Sequence, residues 1–242
     1  MPIGVIINSC SVLFGGIAGS LLGHKLSSEF KAEIHLIFAI CSMGMGISSI
    51  GLMQNMPAVI FALIMGTAIG LLCHLGEWIH RGAALMQKPI AKIFRNQNTD
   101  LSEAEFLNQL VTIIVLFCAS GTGIYGTLTA GMTGDNSILI SKSILDFFTA
   151  ALFACHLGYV VSVICVPQFI IFFILFLCAG FIFPLTSFEM IQDFKACGGF
   201  LMLATGFRIM NVKNFPIADM IPAMIIVMPL SYLWMTYIMN LV

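Results

Sequence analysis

Charged side chains are scarce in this sequence, and their scarcity decides its class. Of 242 residues only 9% are Asp, Glu, Lys or Arg, and 60% are hydrophobic. About a quarter of an average soluble domain is charged. So few charges cannot cover a water-facing surface, and a chain of this length does not enclose enough volume to bury so many apolar side chains. Lipid must therefore be the solvent for much of the chain, which predicts an all-α, polytopic transmembrane bundle forming a single domain over residues 1–242.

Charged tails, cysteine pairs and soluble catalytic motifs are also missing. The formal net charge of -1 argues against nucleic acid as a partner. The eight cysteines lie singly along the apolar segments without a C-x-x-C pair, so buried apolar thiols are expected and neither a metal nor a cofactor is. His74, Glu77 and His80 are interpreted as interfacial groups, because their spacing does not place all three on one helix face. Without a P-loop, a nucleophile elbow or a zinc-protease helix, no enzymatic activity is expected.

The apolar segments are numerous enough for eight membrane crossings. A helix needs roughly 20 apolar residues to cross the hydrocarbon core. The segments that meet or approach this length lie at residues 3–23, 35–53, 57–77, 103–128, 138–164, 168–186, 196–212 and 217–240. The second and seventh are short and rich in glycine, so each is either a full crossing or a half-helix or re-entrant segment.

The basic residues are distributed unevenly over the loops that this count creates. Cytoplasmic loops of membrane proteins carry an excess of lysine and arginine. If all eight segments cross, most of the ten basic residues share one face, namely Lys25, Lys31, Arg81, Lys88, Lys92, Arg95, Arg208 and Lys213. The other face receives only Lys195, and Lys142 lies inside the fifth segment. This asymmetry predicts that both termini lie outside the cytoplasm.

The longest polar stretch, residues 77–100, has a helical pattern of its own. Its apolar residues recur near helical spacing, and its basic residues fall largely between them. The apolar set is Trp78, Ile79, Leu85, Met86, Ile90 and Ile93, and the basic set is Arg81, Lys88, Lys92 and Arg95. Such a segment lies along the cytoplasmic headgroups with its cations facing anionic lipid, and Pro89 is expected to kink it. Ser102 and Glu105 form a capping box at the start of the fourth span.

The first and last thirds of the chain align in one register. The pairs that it brings together, 160 residues apart (189 − 29), are Glu29 with Glu189, Glu33 with Asp193, and Gly46 with Gly206. Spans 1, 2 and 3 then match spans 6, 7 and 8, so odd spans map onto even ones. The repeat halves 1–77 and 165–242 would have opposite orientations, as in many secondary transporters. Chance similarity between hydrophobic segments is the competing explanation, and the alignment alone does not decide.

Span 1 carries a ladder of small residues and one amide. Gly15, Gly19 and Gly23 recur every four residues, which makes a flat groove for the close approach of another helix. Helix packing, within the chain or between subunits of a homo-oligomer, is the expected role. Asn8, further up the same helix, needs a polar partner in hydrocarbon. It is therefore either a hydrogen-bonding contact between helices or a ligand of the substrate.

Span 5 places ionisable side chains inside the hydrocarbon. Lys142, Asp146 and Thr149 lie four and three residues apart, so they share a helix face on which Phe153 and His156 continue. Intramembrane ionisable groups are energetically costly and point toward a partner or a cavity. Two interpretations stay open. Lys142 and Asp146 form a structural ion pair, or Asp146 binds substrate or a coupling ion with Lys142 as its counter-charge. His156 is expected to be a hydrogen-bonded core residue.

Span 4 ends in a run of glycine and hydroxyl residues. Residues 120–131 read SGTGIYGTLTAG, a composition that weakens a helix and allows an unwound stretch. Main-chain carbonyls around Gly121 and Gly123 would then be available to an ion or solute. The alternative is a simple hinge outside the membrane, and composition does not separate the two.

Together these residues identify a family resemblance. The chain resembles the YqgA/YdfK family of uncharacterised bacterial inner-membrane proteins, which is classed as a domain of unknown function. The resemblance covers nearly the whole chain. It rests on Asn8 with the glycine ladder, on residues 116–118 followed by Gly121, on Lys142-Ser143 with Leu145-Asp146, and on Gly198-Gly199 leading to Gly206. Phe147 stands where a glycine is expected after the aspartate. The resemblance implies an inner-membrane location and a transporter label without naming a substrate.

Three classes of function stay open. The leading hypothesis is a secondary transporter of a small polar or ionic solute, driven by an ion gradient because no ATP-hydrolysing motif is present. An ion channel is a close alternative. A non-transporting membrane scaffold or sensor comes from a different class, and in it the glycine ladder would be an oligomer interface. The expected partners are membrane lipids, the solute or ion, and a second copy of the chain.

Overall fold

The computed structural model describes residues 1–22, 27–93 and 103–238. The protein is 87% helical, with no strand in those ranges, which confirms the all-α class. The helices are α1 (Ile3–Leu22), α2 (Ser28–Ile50), α3 (Met56–Leu72), α4 (Leu75–Ile93), α5 (Glu103–Cys118), α6 (Gly121–Thr133), α7 (Ser137–Leu157), α8 (Val160–Val163), α9 (Cys165–Ile182), α10 (Phe188–Ile209) and α11 (Ile217–Leu233). A 3₁₀ turn follows α9 at Phe183–Leu185, and a π-helical turn follows α11 at Trp234–Ile238.

Length and composition qualify six described segments as membrane crossings. They are Ile3–Leu21, Ala32–Ile50, Gln109–Thr133, Ser137–Leu157, Val160–Leu185 and Ile217–Ile238. A seventh is added if α3 and α4 form one crossing that bends by 58° between them. α10 covers residues 196–209 of the predicted span at residues 196–212 but does not qualify as a crossing, because Gln192, Asp193 and Lys195 interrupt its apolar sequence. The chain is a membrane protein with several apolar helices, and a count of eight stays a prediction.

Two of the predicted spans are divided by a break in the helix. The fourth stops at Cys118 and restarts at Gly121, where the Ser120 hydroxyl accepts a hydrogen bond from the Gly123 main-chain N–H at 3.1 Å. The helix is therefore broken, as one of the two alternatives expected, but the break lies at residues 119 and 120, and the glycines that follow belong to α6. The fifth span stops at Gly158, whose φ of 74° suits a residue without a side chain.

The chain divides into two compact units. The first comprises Met1–His35 and Trp78–Cys178, and the second comprises Leu36–Glu77 and Ala179–Val242. In the first unit, α1 packs along α7, and α8 and α6 pack against these two helices. Its core includes the buried side chains of Phe106, Leu110, Phe117, Val161 and Ile164.

Helix α4 covers most of the stretch that was predicted to be amphipathic. Ala83 and Ile90 are buried in the core of the first unit, whereas Trp78 and Leu85 are each 64% exposed. α4 is therefore an amphipathic helix, as its spacing predicts, and its apolar stripe is buried on one side and exposed on the other. The exposed face also carries Arg81, whose guanidinium carbon lies 5.5 Å from the centre of the Trp78 ring. The capping-box prediction at the start of the fourth span lies outside the described residues.

Small residues bring the helices of the second unit into backbone contact. α3 packs along α11, and a Cβ added to Gly66 would overlap Ala223. α2 approaches α10 as closely, since a Cβ added to Gly46 would lie 2.7 Å from the Gly199 carbonyl oxygen. Close contact between helix backbones is how small residues stabilise helix pairs in lipid.

Candidate functional site

The glycine ladder of α1 packs against α7 of the same chain. A Cβ added to Gly15 would overlap the Phe147 main-chain carbonyl, and one added to Gly19 would overlap that of Ala151. The two backbones therefore touch along a stripe that requires residues without side chains. Because the contact uses the main chain of Phe147, a phenylalanine is accommodated where the resemblance suggested glycine. Gly23, the third predicted position, lies outside the described residues.

This close packing brings the amide of Asn8 to the ionisable residues of α7. Asn8 Nδ2 donates a hydrogen bond to Asp146 Oδ2 at 2.8 Å. Lys142 Nζ donates to both oxygens of the Asp146 carboxylate, at 2.6 and 2.5 Å. The exposed fractions of Asn8, Lys142 and Asp146 are 0%, 4% and 7%. A charge pair and an amide are thus buried together between two membrane-spanning helices.

Gln168 of α9 completes the network, and sequence reasoning did not identify it. Its Nε2 donates to Asn8 Oδ1 at 2.9 Å and lies 3.3 Å from Asp146 Oδ2 and 3.4 Å from the Phe117 main-chain oxygen. We call Asn8, Lys142, Asp146 and Gln168 the polar cluster. Two signals pointed to Gln168: it is an amide in an otherwise apolar span, and it follows Asn8 by 160 residues, the offset of the repeat register.

The break between α5 and α6 lies beside the polar cluster. Phe117, in the last turn of α5, directs its carbonyl oxygen to Gln168. Gly123, in the first turn of α6, lies against the Lys142 side chain, because a Cβ added there would be 3.0 Å from Lys142 Cε and would overlap the Phe172 ring. The carbonyl end of one helix and the first turn of the next therefore contact members of the same cluster.

Three further predicted residues stand apart from these hydrogen bonds. Thr149 is half-buried on α7, and Gly121 is buried as the first residue of α6, but neither takes part in the hydrogen bonds of the cluster. His156 is exposed, so its expected place in the core is wrong. The buried face of α7 continues from Asp146 through Ala150 and Ala154. The α-helix has 3.6 residues per turn, so successive steps of three and four residues do not stay on one line. Thr149 and His156 therefore lie beside the buried face of α7 and not on it.

Formal charges are otherwise rare in the helices around the cluster. α1, α6, α8 and α9 contain no Asp, Glu, Lys or Arg, and α7 contains only Lys142 and Asp146. Each charge is therefore compensated mainly by the other, in surroundings from which water is largely excluded. A carboxylate, an ammonium and two amides at a helix break can bind a small polar or ionic group.

A second buried carboxylate, that of Asp193 on α10, lies in the other unit. Asp193 is 0% exposed, and its Oδ1 accepts hydrogen bonds from the main-chain N–H groups of Gln54 and Asn55 at 2.8 and 2.9 Å. Its Oδ2 accepts from Asn55 Nδ2 at 2.8 Å and from Ser231 Oγ at 2.6 Å. Asp193 therefore anchors the start of α3 to α10 and α11. Sequence patterns marked it only as a repeat position, because its donors come from two distant segments.

Groups of three or more His, Cys, Asp or Glu side chains that could hold a metal ion do not occur in the described part of the chain. His74 Nδ1 lies 3.6 Å from Glu77 Oε1 in an exposed pair. Cys118 and Cys197 are buried as expected. The expectation of buried thiols is wrong for four others, which are exposed: Cys10, Cys41, Cys73 and Cys178.

The apolar helices and the buried charge pair define a multi-pass α-helical membrane protein. The model of the family described as "Protein of unknown function (DUF554)" matches residues 3–232, and the chain belongs to this family. It is 45% identical over 234 residues to "Uncharacterized protein YqgA" of Escherichia coli (strain K12), covering 97% of this chain and 98% of that protein. It is 21% identical over 223 residues to "Uncharacterized membrane protein YdfK" of Bacillus subtilis (strain 168), covering 92% and 93%. These matches confirm the family resemblance. No solved structure matches the chain.

Proposed function

We propose that the protein is a secondary transporter that carries a small polar or ionic solute across the bacterial inner membrane, driven by an ion gradient. The observation that carries the proposal is the buried pair of Lys142 and Asp146, held by Asn8 and Gln168 beside a helix break. Ionisable groups in membrane-spanning helices are rare and mark substrate and ion pathways. Broken helices whose ends face such groups are a recurring form of transporter site.

A purely structural role accounts less well for the charge pair. Desolvating an ammonium and a carboxylate costs several kcal/mol per ion, and apolar residues of similar size are often equally stabilising. The neighbouring contact of α1 with α7 is made through glycine and needs no charge. Exchange of charge with a ligand is therefore the better reason for burying both ions.

Contacts between α2 and α10 support an inverted repeat. Under the 160-residue register, Gly46 is equivalent to Gly206, and Ala39 is equivalent to Gly199. The contact of Gly46 with Gly199 should therefore have a counterpart between Gly206 and Ala39. A Cβ added to Gly206 would lie 3.0 Å from the Ala39 carbonyl oxygen, so both contacts are present. Reciprocal contacts of this kind are expected between two halves related by a two-fold axis.

The hydrogen bond between Asn8 and Gln168 supports the same repeat in the other unit. The two residues are equivalent under the register, so exchanging the halves leaves the same pair of residues in contact. A two-fold repeat places such self-equivalent contacts on its axis. Transporters with inverted repeats bind their substrates at the interface of the repeats. A contact between equivalent residues of the two halves, such as that of Asn8 with Gln168, lies at such an interface.

The proposed orientation puts both termini outside the cytoplasm and α4 on the cytoplasmic surface. Trp78 and Leu85 are exposed on α4 beside Arg81 and Lys88. Aromatic and basic residues on one exposed face suit the headgroup region, where the ring lies at the interface and the cations face anionic lipid.

The alternative of a membrane scaffold is less well supported. In it the glycine ladder would join two subunits, but Gly15 and Gly19 contact α7 within one chain. An ion channel would use the same polar cluster, so kinetics must separate it from a transporter.

Flux into proteoliposomes tests the proposal. The purified protein is reconstituted, and uptake of amino acids, carboxylates, sugars and inorganic ions is measured under imposed proton or sodium gradients. Saturable, gradient-dependent flux that is lost in Asp146→Asn is expected. Ser143→Ala is the matched control, because its buried hydroxyl donates only to Leu139 O within α7, at 2.6 Å. Unsaturable flux without gradient coupling would favour a channel. Full uptake by a folded Asp146→Asn protein would refute a role of the cluster in transport.

A further inference from the structure

Five buried side chains of the first unit carry a polar atom without a hydrogen-bond partner among the described residues. The atoms are the hydroxyl oxygens of Ser9, Thr127, Thr129 and Ser162, and Oε1 of Gln168. None of these residues is more than 7% exposed. In the described part of the second unit, Gln192 Oε1 is the one such atom. A buried polar atom without a partner costs free energy, so five in one unit need an explanation.

Other hydroxyl groups of the same unit pair with their own helix. Those of Ser20, Thr133 and Ser143 donate to the main-chain carbonyl four residues earlier, at 2.7, 2.9 and 2.6 Å. This local bond is a common way for a helix to pair a serine or threonine. Rotating the Gln168 amide does not pair its oxygen, because the nitrogen already faces two oxygens of the polar cluster. The five atoms therefore need partners from outside the chain.

Two of the hydroxyls lie on α6, between the polar cluster and the start of α1. Thr127 is one turn beyond Gly123, against which the Lys142 side chain lies. Ala130, three residues further along the same face, packs with Val5 of α1 in a small apolar cluster. The Thr127 hydroxyl therefore lies between the Lys142 side chain and the level of Val5, and the second hydroxyl of α6 follows two residues later.

The other two hydroxyls extend the series in the opposite direction. Ser9 directly follows Asn8 of the polar cluster. Ser162 of α8 contacts α1 two turns further along, since a Cβ added to Gly16 would overlap its hydroxyl. From Val5 to Gly16, α1 rises about 16 Å, which is roughly half the thickness of the hydrocarbon core. The unpaired atoms therefore follow α1 on both sides of the polar cluster.

We propose that Ser9, Thr127, Thr129, Ser162 and Gln168 line the path of the solute through the first unit, with the polar cluster at its centre. We call these five residues the polar path. The inference rests on the proposed function, because it names the groups that the solute meets on its way to and from the cluster. A passing solute supplies the hydrogen bonds that the protein does not.

The chemistry of the polar path limits the class of solute. Gln168 Oε1 only accepts hydrogen bonds, so the solute must present an O–H or N–H donor there. A hydroxyl group donates or accepts, and it therefore pairs with either kind of polar group. A metal ion needs several oxygens around a single point, whereas these atoms are spread over about 16 Å. The solute is therefore a small molecule with several hydrogen-bond donors, such as an amino acid, a sugar or a polyol.

Cysteine labelling tests the path without knowledge of the solute. Ser9→Cys, Thr127→Cys and Ser162→Cys are made in the full-length protein and treated in membranes with a charged thiosulfonate reagent that cannot cross lipid. Mass spectrometry reads the modification of each cysteine, so the native cysteines stay in place. A thiol reacts as its thiolate, which forms in water, so the three positions should react at least about tenfold faster than two buried controls. The controls are Ala154→Cys, at a position 2% exposed in the apolar core of the same unit, and native Cys197, which is 0% exposed.

The side from which each position reacts is a second readout. Thr127 and Ser162 lie on opposite sides of the polar cluster along α1. Thr127→Cys and Ser162→Cys should therefore react from opposite sides of the membrane, which intact spheroplasts and inside-out vesicles distinguish.

Removal of one hydroxyl tests its role in transport. Thr127→Val replaces an unpaired buried hydroxyl by a methyl group of similar size, so the midpoint of thermal unfolding should stay unchanged or rise. Uptake of the transported solute into proteoliposomes should fall about three- to tenfold, which is the effect of one lost hydrogen bond. Ser143→Ala, whose hydroxyl is paired within α7, should leave uptake unchanged.

Labelling of all three positions no faster than Ala154→Cys would overturn the inference, as would modification of Thr127→Cys and Ser162→Cys from the same side. Uptake of inorganic ions alone would overturn the class of solute. Should the cysteine variants fail to fold, Thr127→Val decides, and uptake equal to that of Ser143→Ala would then overturn the path. Labelling without flux of any solute would keep the path and reject transport, and flux in a protein without labelling would do the reverse.

Discussion

Removing one member of the Lys142–Asp146 pair should destabilise the protein, and removing both should restore most of the loss. Asp146→Asn leaves a buried ammonium with only neutral oxygens around it, which should cost about 3–5 kcal/mol of unfolding free energy. Lys142→Met leaves a carboxylate that still accepts hydrogen bonds from Asn8 and Gln168. Since hydrogen bonds to charged groups are worth about 1.5–3 kcal/mol each, the cost of Lys142→Met should be smaller, about 2 kcal/mol. The double variant should fall within about 1 kcal/mol of the natural protein.

Unfolding in mixed micelles by titration with SDS, followed by circular dichroism, measures these free energies. A double-mutant cycle should give a coupling energy of at least about 2 kcal/mol. Two single variants that each change stability by less than about 0.5 kcal/mol would refute the reasoning, because exposed ion pairs behave in that way. The same preparations should be assayed for flux. A double variant that is stable but inactive supports a functional pair, and one that transports normally shows that the pair is structural.

Further predictions concern the rest of the fold. Asp193→Ala removes the acceptor of four hydrogen bonds and should lower the unfolding free energy by at least about 3 kcal/mol, whereas Ser231→Ala removes one hydrogen bond to the carboxylate and should cost about 1.5 kcal/mol. SDS titration measures both, and equal costs would contradict the anchoring role of the carboxylate. Gly19→Leu should prevent α1 from packing on α7 and abolish a monodisperse peak in size-exclusion chromatography, whereas Gly44→Leu, which has open space around it, should not. Gly158→Ala should cost about 1–3 kcal/mol, since the φ of 74° and ψ of -157° suit only glycine, and a thermal-stability change near zero would refute this. Alkaline phosphatase fused to the C-terminus should be active and a fluorescent-protein fusion dark if the termini lie outside the cytoplasm, and the opposite pattern would invert the topology.

Local features of the sequence predicted part of the candidate site. The four-residue spacing of Lys142 and Asp146 puts them on one helix face, and an amide such as Asn8 in an apolar span needs a partner. Those two rules identified three members of the polar cluster. Gln168 was missed because its partners lie far away in sequence, although the repeat offset pointed to it. Thr149 was predicted to be a site residue because it follows Asp146 by three residues. Spacing alone does not show that the buried face of α7 continues through Ala150 instead.

The sequence by itself determined that this chain is helical and lies in lipid. It has too few charged side chains to cover a surface that faces water, and in hydrocarbon a helix satisfies the backbone hydrogen bonds that lipid cannot. Only the tertiary structure decided which faces meet. Gly15 and Gly19 contact α7 of the same chain, the apolar stripe of α4 is only partly buried, and the charges of α7 meet amides from α1 and α9. The physical reason is that lipid is as apolar as a protein core, so hydrophobicity does not distinguish an outward face from an inward one. Close packing and hydrogen bonding between distant segments make that distinction.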